Sequence, residues 1–193
     1  MNIVHGCRVL AVAAALGLVG VSAAQAQDGT PTPSTGDFFD PAVPEATPIA
    51  GIEFFEVESA DHTEEPVAYP QDPPAGGPHY PSWQKCQVYD EPIPNEPAVH
   101  SQEHGAVWIT YQPALPEADV EALAAFSEGQ RYVLISPYPD LDSPVVASAW
   151  GAQLRLDGVS DPRLREFIAR FAGNGPEPGA TCDSGLEETL GEE

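Results

Sequence analysis

The chain has 193 residues, 42% of them hydrophobic, and carries 30 acidic side chains against 7 basic ones for a formal net charge of −23. Such a surface repels phosphate backbones and anionic lipid, which excludes nucleic acid and a charged membrane surface as partners. The length suits one domain with a buried core.

Residues 1–26 read as a secretory signal. Arg8 supplies a weak positive start, residues 9–21 an apolar core, and Ala24-Gln25-Ala26 a small-x-small cleavage pattern that leaves Gln27 as the mature terminus. The core is short for a membrane span and rich in Ala and Gly. The expectation is export to the periplasm or medium, with no stable membrane insertion after cleavage; an uncleaved membrane anchor is the alternative. Residues 27–49, with five prolines among Thr, Ser, Asp and Ala, read as an extended linker. A single domain follows over 50–182, then an acidic tail over 183–193 that is expected to fray.

Within the domain, residues 52–58 alternate imperfectly and predict a strand. Residues 69–97 are dominated by Pro, Gly and aromatics and predict a long ordered loop, packed down by Tyr80, Trp83 and Tyr89. Residues 106–111 are β-branched and aromatic, hence a strand. Pro116 and Glu117 open a helix with Asp119 and Glu121 near its positive end, Val120, Leu123 and Ala124 on its buried face, and Gly129 at its close. Residues 131–136 predict a strand stopped by Pro137, and residues 145–150 and 153–157 two more about Gly151. Asp161 and Pro162 are an N-cap and first-turn pair for a last helix, whose stripe is Leu164, Phe167, Ile168 and Phe171 and whose end is Gly173. The fold class is α+β: a mixed sheet of about four to five strands with two helices on one face, plus the long loop. A thioredoxin-like or a ferredoxin-like arrangement fits.

Two cysteines, Cys86 and Cys182, remain after the signal. In an oxidising compartment an even pair predicts a disulfide, and closing so long a loop adds about 4 to 5 kcal/mol before strain.

The chemistry concentrates in His100-Ser101-Gln102-Glu103-His104-Gly105. Positions four apart share a face on a helix and on a strand, so His100 and His104 converge in either case, with Glu103 beside them. His79, held between Pro78 and Pro81, is a third imidazole on restricted backbone. His79, His100 and His104, with Glu103 or water as a fourth donor, form a set that suits zinc or Cu(II). His62 sits in an acidic stretch, is read as exposed, and is left out. Residues 100–104 also match H-x-x-E-H, the inverted zinc-peptidase pattern with Glu as base, but Pro94, Pro97 and Gly105 leave room for at most a turn or two of helix.

Pro73-Pro74, Gly77-Pro78-His79-Tyr80-Pro81, Val88-Tyr89, Val99-His100-Ser101, Glu103-His104-Gly105 and Ala149-Trp150-Gly151 together resemble the bacterial family catalogued as domain of unknown function 3105, over residues 69–175. That family more often has Ser at the position of Gly76 and Leu at that of Gln102; neither departure touches the ligand set. The resemblance implies an exported or membrane-anchored protein and brings no activity with it. Three readings stand: a transition-metal-binding domain, a metal-free binding module with a His- and aromatic-lined cleft, and a zinc-dependent hydrolase.

Overall fold

The computed structural model describes residues 48–191. The signal reading and nearly all of the linker reading fall on residues 1–47, outside the described residues. In chain order the elements are strand β1 (Ile52–Phe54), helix α1 (Asn95–Glu103), β2 (Val107–Tyr111), α2 (Glu117–Ala124) with a 3-10 turn over Ala125–Ser127, β3 (Val133–Pro137), β4 (Val145–Ala149), β5 (Ala152–Leu156) and α3 (Pro162–Phe171).

The strands form one sheet in the order β1-β5-β4-β2-β3. β2 and β3 are parallel across the crossover that contains α2, and all other neighbours are antiparallel. The α+β class is therefore as expected. Of the two arrangements, the ferredoxin-like one requires β-α-β-β-α-β; here β4 and β5 follow β3 with no helix between, and β3-β2-β4-β5 is the thioredoxin-like connectivity with β1 added at the edge.

Period-two alternation sends each strand's side chains to two different environments. Val107, Ile109, Val133, Ile135, Val145, Ala147, Leu154 and Leu156 face Leu123 of α2 and Leu164, Phe167 and Ile168 of α3 in the main core. The other face carries Trp108 and Leu134, packed against Ala98 of α1 and against Tyr89 and Ile93 of the long loop. It also carries buried polar groups: Trp108 Nε1 donates to Ser136 Oγ at 3.0 Å, and Gln153 Nε2 donates to Ser148 Oγ at 2.9 Å. Helices cover one face as predicted; α1 and the irregular segment cover the second.

Helix α1 is the main departure from expectation. Pro97 did not prevent it, because it occupies the third helical position, where the backbone N–H has no partner within the helix. Pro97, Ala98, Val99, His100, Ser101 and Gln102 are all buried, so the helix shows no apolar stripe. Ser101 Oγ donates to the Gln84 carbonyl at 2.6 Å and Gln102 Nε2 to the Pro74 carbonyl at 3.0 Å.

Within the described residues the C-terminal segment is hydrogen-bonded to the long loop. Leu186 N donates to the Trp83 carbonyl and Lys85 N to the Leu186 carbonyl. Trp83 Nε1 donates to the Ser184 carbonyl at 2.6 Å and Leu190 N to the Pro92 carbonyl at 2.8 Å. Cys86 and Cys182 are joined, with Cα atoms 5.1 Å apart and a sequence separation of 96. Among the described residues, no helix is long and apolar enough to cross a membrane.

Candidate metal centre

Backbone geometry brings the histidines together. His100 and His104 sit one turn apart at the C-terminal end of α1, where Gly105 ends the helix at φ +97°. His79 is fixed by its loop and by a backbone bridge to His62, in which Thr63 N donates to the His79 carbonyl and His79 N to the Asp61 carbonyl. The chain after α3 returns across the helix end: Gly173 N donates to the Gly105 carbonyl at 2.9 Å and Glu177 N to the Glu103 carbonyl at 3.2 Å. A Cβ at Gly175 would run into the Glu103 carbonyl, so glycine is what permits this approach and carries Glu177 and Thr181 to the site.

The three predicted histidines are buried and are held in the same way. His79 Nδ1 donates to the Gly77 carbonyl at 2.8 Å, His100 Nδ1 to the Tyr80 carbonyl at 2.7 Å, and His104 Nδ1 to the Thr181 carbonyl at 3.0 Å. A carbonyl only accepts, so each Nδ1 carries the hydrogen and each neutral ring keeps its lone pair on Nε2. Metal-binding histidines are oriented by this kind of contact, with the other ring nitrogen donating to a carbonyl or carboxylate.

The Nε2 atoms then face partners that hydrogen bonding does not satisfy. His100 Nε2 lies 3.1 Å from His104 Nε2; two lone pairs at that distance repel unless a proton or a cation lies between them. His79 Nε2 lies 3.1 Å from Glu103 Oε2, yet this buried nitrogen has no hydrogen-bond partner. His104 Nε2 is 3.2 Å from Glu177 Oε2. Two donors on one tetrahedral zinc, with bonds of about 2.0–2.1 Å, sit about 3.3 Å apart. All three pairs have nearly that spacing.

Burial of its ring lowers the His100 pKa to about 4; the Tyr80 carbonyl opposes the shift, while the neighbouring His79, His104 and His62 reinforce it. A ring kept neutral at ordinary pH is one whose lone pair stays available.

Two groups have ligand atoms that all lie within 4.8 Å of one another: His62, His79, His100 and Glu103, and separately His100, His104 and Glu177. The structure thus brings His79, His100 and Glu103 into one group and sets His104 in an adjoining one that shares His100. His62 and Glu177 were missed by the sequence reading. His62 is exposed, as expected, but its ring stacks on His100 with centroids 5.0 Å apart and planes 25° apart. Trp83 walls the other side, 4.6 Å from His104 and 5.6 Å from His100 between centroids. The rings of His62, His79, His100 and His104 pack on one another, with neighbouring centroids 4.6 to 5.0 Å apart. A groove of about 460 Å³ lies elsewhere, against α2 and α3, lined by residues such as Phe126, Arg165 and Ile168.

A family model described as "Protein of unknown function (DUF3105)" matches residues 61–184. Every residue of both His groups, and both cysteines, falls inside that range. Neither the curated proteins nor the solved structures contain a match.

Proposed function

Because the chain belongs to the DUF3105 family, whose description carries no activity, we propose its function from the geometry of the cluster: an exported domain that binds a divalent transition-metal ion, zinc or copper, at a cluster centred on His100, with His62, His79 and Glu103 on one side and His104 and Glu177 on the other. The single observation that carries this reading is the convergence of Nε2 atoms whose Nδ1 partners are all backbone carbonyls. A set of histidines serving only to stabilise the core would satisfy both ring nitrogens; here every Nδ1 meets a carbonyl, while His79 Nε2 has no hydrogen-bond partner and His100 Nε2 meets only His104 Nε2.

The donor set fits the ion. Imidazole nitrogen and carboxylate oxygen suit zinc and Cu(II), and the described residues of the cluster offer no thioether for Cu(I). When bound, the ion would supply a Lewis acid held by these side chains. Export fits the Cys86–Cys182 pair, since such bridges persist in oxidising compartments.

Equilibrium dialysis of purified, chelator-stripped protein against zinc tests the reading. The expected result is about one ion per chain, with His100→Ala weakening binding by more than the ~10- to 100-fold that loss of a supporting contact produces. A folded wild type that takes up neither zinc nor copper would overturn it.

A further inference from the structure

We infer that the ion has two stations sharing His100, a four-donor station of His62, His79, His100 and Glu103 and a three-donor station of His100, His104 and Glu177, and that the three-donor station is where the ion is taken up and handed on. This rests on the metal-binding reading above and specifies how the same cluster exchanges its cargo.

The lone pairs of His100 set the first constraint. Its Nδ1 is committed to the Tyr80 carbonyl, so only Nε2 can ligate, and it can serve one ion at a time. The two groups are therefore alternatives around a shared ligand, not a two-metal centre in which both keep His100.

Coordination number sets the second. Four protein donors complete a tetrahedral site, whereas three leave a position for an incoming ligand. The three-donor group has two edges near tetrahedral spacing, His100 to His104 at 3.1 Å and His104 to Glu177 at 3.2 Å. It also has the more accessible carboxylate: the Glu177 side chain is 57% exposed, against 14% for Glu103.

Together these define a path. An arriving ion, carried as an aquo ion or by a small chelate with oxygen or nitrogen donors, meets Glu177 first, then His104 and His100. His100 keeps its bond while Glu177 and His104 are exchanged for His79, Glu103 and His62. No bond other than metal–ligand bonds forms or breaks, the ion keeps its oxidation state, and water or the external donor fills each vacated position. Release runs the same way in reverse. Segments flanking Glu177 contain Gly173, Gly175, Pro176, Pro178 and Gly179, so the carboxylate sits on chain outside any helix or strand.

The test is kinetic. Zinc-loaded full-length protein is mixed with excess chelator and zinc release is followed by stopped flow; uptake by stripped protein is followed in the same way. Glu177→Gln should slow both uptake and release several-fold, whereas His62→Ala should weaken equilibrium binding and speed release. Unchanged rates in Glu177→Gln would overturn the two-station scheme. A wild type that takes up no zinc would overturn the metal-binding reading as well, and that measurement precedes the variants, so the two failures are distinguishable.

Discussion

Glu103 is the residue whose role separates the chemical readings. Its carboxylate lies 3.1 Å from His79 Nε2 at ligand spacing, so Glu103→Gln should weaken zinc binding, measured by competition with a chromophoric chelator. A base acting on bound water, as in a hydrolase, would instead leave affinity intact and abolish any activity. The sequence made His79, His100, Glu103 and His104 visible because imidazoles are scarce in this chain and two of them are four apart. It could not reveal His62, whose placement comes from backbone pairing with His79 across the loop, nor Glu177, one carboxylate among 30 acidic residues. Their signals are contacts between distant segments, and nothing local encodes them.

At the scale of elements, α3 was readable to the residue. Asp161 caps it, accepting from Arg163 N at 3.0 Å, and its side chain also pairs with the Arg163 guanidinium. Those hydrogen bonds with Arg163 hold the Asp161 carboxyl below the usual carboxylate range. Because the folded state binds this proton less readily than the unfolded chain, the cap contributes stability at neutral pH that is lost as pH falls through the carboxylate range. Asp161→Ala should cost about 1 kcal/mol near neutral pH and progressively less in acid, read from urea midpoints with an unchanged slope. Helix α1 was unreadable for the opposite reason: with six consecutive positions buried, it has no polar face and thus no period. The buried strands still revealed themselves through β-branched and aromatic runs, but the cover on their second face, built from loop and α1, leaves no periodic trace.

Across the whole molecule, the long disulfide and the charge balance shape how the site behaves. Cys86–Cys182 pins the segment that presents Thr181 and Glu177 to the loop that presents Trp83. Reducing it should destabilise the fold by about 2–5 kcal/mol, seen as a lowered denaturant midpoint, and should speed zinc loss before global unfolding. A net charge of −23 draws cations toward the surface. Zinc uptake should therefore slow as ionic strength rises from about 0.01 to 0.15 M, where the screening length contracts from about 30 to about 8 Å, while the bound stoichiometry stays constant.

Whether imidazole nitrogens of this cluster hold the ion is read from X-ray absorption at the zinc edge of the loaded protein. The expected spectrum has a first shell of nitrogen and oxygen at about 2.0–2.1 Å, with the outer-shell scattering of imidazole rings and no sulfur. A shell of water and carboxylate oxygen alone, without an imidazole signature, would contradict it.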